Sequence, residues 1–261
     1  AGVRTSEQRI YLRGCQGAFK TMAGALEPLT VCNPLDRAVE NWPVSVALHA
    51  AVPKGREVAV RDEEGVAVPS QLLSDGRVCF AASLPPYTSR TYYACLCENG
   101  SRTDLRVTSD GLGTGKGTVT VANSVFRLTF SEAAGGTVTE FASIRTGDDY
   151  GDRSFGANYG RFSQHDLKKP ATNTVEFIHE RKVNQFDTPG RLRVLESGSC
   201  RVVVEAQWKD ANLSASQRYE FYAYQPFLRV HSRAVPASTP TMQTAQEIVA
   251  LDARFSVNQL A

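Results

Sequence analysis

Residues 118–139 read TVTVANSVFRLTFSEAAGGTVT. Two short β-branched and aromatic runs, 118–122 and 126–130, alternate apolar with polar side chains, and Thr137 opens another run. Such alternation sends successive side chains to opposite faces of a strand. Between the runs, Ala134-Gly135-Gly136 supplies turn chemistry, because glycine adopts the positive φ that tight hairpin connections demand. The stretch predicts antiparallel strands.

The same texture extends outward in both directions. Residues 44–48, 57–61, 78–82 and 91–95 precede it and residues 201–208 and 227–232 follow it, each a short strand-like run bounded by Gly, Pro, Asn or Asp. Asp62-Glu63-Glu64-Gly65 and Ser74-Asp75-Gly76 fall between such runs as hairpin turns. A helix is expected only within residues 4–26, where Ile10, Leu12, Phe19 and Met22 fit no clean period. The segment 98–117, ENGSRTDLRVTSDGLGTGKG, is polar and glycine-rich and reads as a linker. The expected architecture is all-β. It comprises an N-terminal extension at 1–27, a small β-module at 28–97, the linker at 98–117 and an antiparallel β-sandwich at 118–261.

A chain of 261 residues buries enough surface for two such modules. With 42% hydrophobic and 21% charged residues and a formal net charge of +2, it is too near neutral to point to nucleic acid or an anionic membrane as partner. No apolar run approaches the ~18 residues of a spanning helix, and residues 1–14 lack the apolar core of a signal peptide. The six cysteines, Cys15, Cys32, Cys79, Cys95, Cys97 and Cys200, contain no CxxC doublet and read as buried free thiols ahead of disulfides or metal ligands. Sequons at 99–101 and 212–214 matter only in a secreted eukaryotic chain.

Gly111, Gly113, Gly115 and Gly117 invite comparison with a nucleotide-binding loop. However, Gly117 follows Lys116 where such a loop needs Ser or Thr, and no helix follows to present its N-terminus to phosphate. Flexible linker is the expectation.

Chemistry concentrates in residues 148–181, which depart from strand patterning and read as loops. They carry Asp148, Asp149, Asp152, Arg153, Tyr159, Arg161, His165, Asp166, Lys168, Lys169, His179, Glu180 and Arg181. Loops on a rigid scaffold commonly carry binding residues. Glycoside hydrolysis needs two carboxyl groups about 5 to 10 Å apart, and Asp149 and Asp152 are candidates, although aspartates in a Gly-rich turn more often solvate the turn. Uronate elimination needs a cation beside the substrate carboxylate and a base near neutral pKa. Arg153, Arg161, Tyr159 and His165 offer those groups, against the plainer reading of a surface His-Asp pair. Arg153, His179 and Trp42 are candidate substrate-binding residues. Trp42 lies in a turn-like Glu-Asn-Trp-Pro segment, as an exposed aromatic for stacking on sugar rings. In the run Tyr219, Phe221, Tyr222, Tyr224 and Phe227, alternation separates Tyr219 and Phe221 from Tyr222 and Tyr224, with Phe221 and Phe227 expected in the core. No cofactor and no resident metal are expected. Calcium is the cation that the oxygen-rich aspartate turn would suit, but no EF-hand spacing is present.

From residue 28 onward the order of motifs resembles the β-sandwich regions that follow the catalytic domain in family 38 glycoside hydrolases, the α-mannosidases, and more widely the galactose-mutarotase-like sandwiches. The resemblance rests on LTVCNPLD (29–36), DEEGVAVPSQLLSDGRVCF (62–80), LPPYTSRTY (84–92), VANSVFRLTFSEAAGGTVT (121–139), LESGSCRVVV (195–204) and QRYEFYAYQPFLRV (217–230). These motifs are structural and imply fold more than activity. The family's catalytic machinery lies in a separate α/β domain with zinc ligands and a carboxylate nucleophile, and no His/Asp set of that spacing appears here. The chain stops soon after Phe255-Ser256-Val257, where related sandwiches continue, so the resemblance implies a fragment or processed subunit whose open sheet edge needs a partner.

Three functions follow as expectations. The leading one is the sandwich portion of a carbohydrate-active enzyme, partnered by oligosaccharide or polysaccharide and by a catalytic domain or partner subunit. The second is a stand-alone polysaccharide lyase or glycoside hydrolase using residues 148–181, for which rhamnogalacturonan-type lyases with mutarotase-like sandwiches are a further resemblance. The third is a structural or assembly protein with a borrowed sandwich.

Overall fold

A computed structural model describes residues 24–97, 102–148, 158–165, 177–209, 213–236 and 247–253. The chain divides into two compact units, Ala1–Thr103 and Asp104–Ala261, and both are all-β as expected. Among the described residues, no helix is long and apolar enough to cross a membrane. The helix expected within 4–26 lies outside the described residues up to residue 23, and its last residues belong to the first strand.

The N-terminal unit contains β1 (Ala25–Cys32), β2 (Val39–Ala47), β3 (Glu57–Arg61), β4 (Ala67–Val68), β5 (Ser70–Leu72), β6 (Arg77–Leu84) and β7 (Ser89–Cys97). They form two antiparallel sheets, ordered β1-β7-β3-β4 and β2-β6-β5. Alternate residues of both sheets, among them Leu29, Val58, Val60, Val78, Phe80, Leu84 and Tyr92, meet in one core cluster. The Phe80 and Tyr92 rings lie 5.0 Å apart, and the buried Tyr92 hydroxyl donates to the Ser83 carbonyl while accepting from its N–H. Burial of such aromatics contributes most of the apolar stabilisation of a small core. Because β1 starts at Ala25, the expected boundary between extension and module at 27/28 falls inside a strand. The predicted turns lie where expected: 62–65 joins β3 to β4 and 74–76 joins β5 to β6, with Gly65 and Gly76 at positive φ.

Two turns of this unit are joined by one buried side chain. Asn33 Nδ2 donates to the carbonyls of Arg37 (2.8 Å), Leu84 (3.3 Å) and Pro85 (2.9 Å), and its Oδ1 accepts from Leu35 N–H (3.1 Å). The Asn-Pro turn read from the sequence is therefore an anchoring point, with every polar atom of a buried amide satisfied.

The C-terminal unit contains β8 (Arg106–Asp110), β9 (Thr118–Ala122), β10 (Phe126–Ser131), β11 (Thr137–Ser143), β12 (Asn158–His165), β13 (Phe177–Asn184), β14 (Arg191–Ser197), β15 (Arg201–Lys209), β16 (Leu213–Tyr222), β17 (Leu228–Pro236) and β18 (Glu247–Ala253). Its sheets run β11-β10-β9-β8, β14-β15-β16-β17 and β13-β12-β18. The first two share a core that includes Val119, Leu128, Phe130, Val138, Val204, Tyr219 and Phe221. Ring contacts of Phe130 with Tyr219 at 4.8 Å and of Phe126 with Phe221 at 6.1 Å run through it. Tyr219 and Phe221 thus share the core face, as alternation required, and Tyr222 takes the other.

Two expectations are corrected. Much of the stretch read as linker belongs to the C-terminal unit: β8 pairs with β9 and Leu105, 4% exposed, enters the core. Asp104 accepts from the N–H groups of Ser124 (2.8 Å) and Tyr224 (3.0 Å). Polarity misled because β8 is an edge strand whose outward residues face water, and because the glycines serve a buried carboxylate. The second correction concerns 148–181, read as loops, where 158–165 and 177–184 are paired strands. Runs of consecutive polar residues, Ser163-Gln164-His165 and His179-Glu180-Arg181-Lys182, break the apolar alternation that marks a strand.

Candidate functional site

Strand β12 is the centre of its sheet and carries Tyr159, Arg161 and His165 among the predicted residues. Tyr159 stands opposite Asn184 on β13 and Asp252 on β18, Arg161 opposite Lys182 and Ala250, and Ser163 opposite Glu180 and Ile248. Alternation places the positions of Tyr159, Arg161 and Ser163, with Asn184, Lys182, Glu180 and Asp252, on one face. His179 pairs with Gln164 and so takes the opposite face, and His165 follows a register shift at which its partner is Phe177. Tyr159 and His165 are separated by about 20 Å along the strand, at about 3.4 Å per residue. The fold thus groups Tyr159 with Arg161 and adds Asp252, a carboxylate absent from the sequence-based set. Asp149, Asp152 and Arg153 lie outside the described residues.

Trp42 sits in β2 opposite Ala82, beside a register irregularity between Val39 and Trp42, not in a free turn. Its neighbour Asn41 has φ of 50°, and Trp42 is 37% exposed. Cys32, Cys79, Cys95, Cys97 and Cys200 are free thiols. Burial pushes the Cys95 thiol up, Arg61 opposing and Cys97 adding to the shift, which makes it a poor nucleophile. Among the described residues, no group of three or more His, Cys, Asp and Glu is placed to hold a metal ion.

A second polar cluster escaped sequence reasoning. The face of β14–β17 opposite the core carries Arg193, Glu196, Arg201, Glu205, Glu220, Tyr222, Arg229 and His231. Arg201 Nε donates to Glu196 Oε2 at 2.7 Å, with both side chains about a tenth exposed. Gln207 Nε2 donates to Glu205 at 2.9 Å, and Arg193 approaches the same carboxylate at 3.8 Å. The Tyr222 hydroxyl donates to Glu220 Oε2 at 2.7 Å, His231 Nε2 lies 3.8 Å from its Oε1, and the Arg229 guanidinium covers the Tyr222 ring at 5.6 Å. Burial pushes the Tyr222 phenol well up, and the Glu220 carboxylate adds to that. In the ladder Glu205 faces Arg218 and Glu220 faces Val203. The two glutamates are therefore diagonal neighbours, about 7–8 Å apart at their backbones. Much of this face is buried: Tyr222 is 3% exposed and the Glu196, Arg201 and Glu220 side chains are 9%, 11% and 13% exposed, while Arg193 and His231 stand open to solvent. The signal was present in the sequence as the charged residues alternating with Val and aromatic residues through 201–222.

A hollow of about 370 Å³ in the C-terminal unit is lined by Gly113, Gly115, Glu132, Gly190 and Arg191. Glu132 is fully buried. Burial by itself would raise its carboxyl, but N–H groups of Gly113, Leu192, Gly117 and Gly115 outweigh burial and hold it below the usual carboxylate range.

No family model matches the chain, and no curated protein matches it. Among solved structures it is similar to a protein in the glycosyl hydrolase family 38 from Enterococcus faecalis, at TM-score 0.51 and 8% identity, over 78% of this chain and 30% of that one. It is also similar to an α-mannosidase from Enterococcus faecalis V583, at TM-score 0.48 and 9% identity, over 78% of this chain and 29% of that one. The chain thus spans less than a third of the length of these structures. Its all-β fold is similar to that of part of a family 38 glycosyl hydrolase.

Proposed function

We propose that this chain is the β-sandwich portion of a carbohydrate-active enzyme, similar to the region that follows the catalytic domain in α-mannosidases, and that it binds glycan or supports a catalytic domain. The likeness to the family 38 protein carries the reading, because it takes in 78% of this chain but only 30% of that one. That proportion suits an accessory share of a larger architecture.

The test is to titrate the purified chain calorimetrically with mannose-containing and uronic-acid oligosaccharides while recording reducing-end release and absorbance of unsaturated product. Heat of binding without turnover is the expected result. Turnover by the chain alone would overturn the accessory reading. Absence of both heat and turnover would overturn glycan binding and leave support of a catalytic domain, checked by whether a full-length enzyme loses stability when this region is deleted.

One observation favours a second reading, a stand-alone lyase or hydrolase: Tyr159, Arg161 and Asp252 share one face of the β12 sheet. A Tyr base and an Arg that neutralises a uronate carboxylate are the groups that elimination requires. On that reading, Arg161→Ala abolishes the absorbance gain, and His165→Ala does the same if His165 is the base.

A further inference from the structure

The loop between β8 and β9 closes over a single side chain. Gly113 N–H donates to Glu132 Oε1 at 2.9 Å, Gly115 and Gly117 donate to Oε2 at 3.0 and 3.1 Å, and Leu192 at the start of β14 donates to Oε1 at 3.2 Å. The main chain of Glu132 joins the same segments: its N–H donates to the Gly117 carbonyl (2.8 Å), and its carbonyl accepts from Gly190 (2.7 Å) and Gly135 (3.1 Å). One residue therefore gathers the 111–117 loop, the 132–136 turn and the entrance to β14.

The spacing of the glycines explains the convergence. Gly111, Gly113 and Gly115 have φ of 57°, 83° and 77°, and left-handed residues alternating with ordinary ones turn successive N–H groups toward one point, a concavity suited to an anion. At Gly117 a Cβ would lie 2.6 Å from the Gly111 carbonyl oxygen, so no larger residue lets the loop close. The charged residues on the surrounding segments are Asp110, Lys116, Asp187 and Arg191, and Arg191 lines the hollow beside the carboxylate.

We propose that residues 111–117 are a backbone anion receptor whose resident ligand is the Glu132 carboxylate, and that the receptor accepts a small exogenous carboxylate when that side chain is removed. Glu132 is then a latch: it holds the strap from β8 to β9 shut by filling a site that would otherwise take a free anion. The adjoining hollow gives such an ion a way in, and Arg191 gives it a countercharge. Nothing in this inference depends on the carbohydrate reading.

The test is denaturant unfolding of the full chain carrying Glu132→Ala, in formate or acetate against chloride at equal ionic strength. Its unfolding constant is expected to fall by the factor one plus the ratio of ion concentration to dissociation constant, about tenfold when that ratio is ten. Leu128→Ala, destabilised in the same unit but away from the receptor, is expected to respond no more than in chloride. No fall, or an equal fall in Leu128→Ala, overturns the proposal. If Glu132→Ala fails to fold in either salt, amide exchange in Glu132→Gln decides. The amides of Gly113, Gly115 and Gly117 are expected to exchange at least about tenfold faster than in the unsubstituted chain, with those of Val121 and Leu128 unchanged. Unchanged loop amides overturn it.

Discussion

In the N-terminal unit the side chain that ties turns together is Asn33; in the C-terminal unit it is Glu132. Both are buried, both reach segments far apart in sequence, and both have hydrogen-bond partners for their side-chain polar atoms. The difference lies in what each junction presents. The turns around Asn33 offer carbonyl groups and one N–H, so a neutral amide that donates and accepts fits them. The loop around Glu132 offers N–H groups only, so an ionised acceptor fits it. A buried charge costs desolvation that an amide avoids, and four charge-assisted bonds offset that cost. The comparison teaches that the surrounding main chain selects the side chain, and that only the second junction carries a proton equilibrium.

The strongest way to break this comparison is to exchange the chemistries. Glu132→Gln turns an NH₂ group into a ring of N–H donors and is expected to destabilise the chain by about 3 kcal/mol, read from urea midpoints at neutral pH. Asn33→Asp removes the donors facing the carbonyls of Arg37, Leu84 and Pro85 and sets a charge against them. About 2 kcal/mol is expected, by the same measurement. Equal tolerance of both swaps would show that packing and not bond polarity governs the junctions.

Proton linkage sharpens the contrast. The Glu132 carboxyl in the folded chain titrates below its unperturbed 4.5, so its stabilisation is fully present above about pH 4.5 and is lost as pH falls through the depressed value. The stability gap between the unsubstituted chain and Glu132→Gln should therefore narrow on acidification, by about 1.4 kcal/mol for each unit of depression. The gap to Asn33→Ala should stay constant over the same range, and unfolding series at several pH values would check both. The smallest effect is expected at Tyr222, whose hydroxyl bonds a partly exposed carboxylate. Tyr222→Phe should lose about 1 kcal/mol, with a change confined to the outward face of β16 in amide exchange.

Much of the strand set was legible in residue pattern. Runs 118–122 and 126–130 became β9 and β10 with the predicted boundaries to within a residue, and the 62–65 and 74–76 turns fell between strands. Legibility failed wherever a segment owed its place to distant partners. Residues 158–165 and 177–184 lack an apolar alternation, and 106–110 sits in a glycine-rich polar stretch, yet all three are held in ladders. The candidate site was less legible still. Tyr159 and Arg161 were named from chemistry, but Asp252, nearly a hundred residues away, joins them only through the β12–β18 pairing.

Local pattern alone therefore decided that this chain is all-β, where many of its turns fall, and which faces of 118–130 and 219–221 are apolar. These are properties of neighbouring side chains, set by backbone geometry that repeats every two residues. Only the tertiary structure decided that four glycines spaced by two form a cradle and not a linker. The carboxylate that gives them their purpose is Glu132, and one of its donors, Leu192, lies 60 residues further along the chain. An isolated GLGTGKG segment and an isolated glutamate carry no mark of each other. They acquire one only when the sheets bring them within hydrogen-bond distance and exclude the water that would otherwise solvate both.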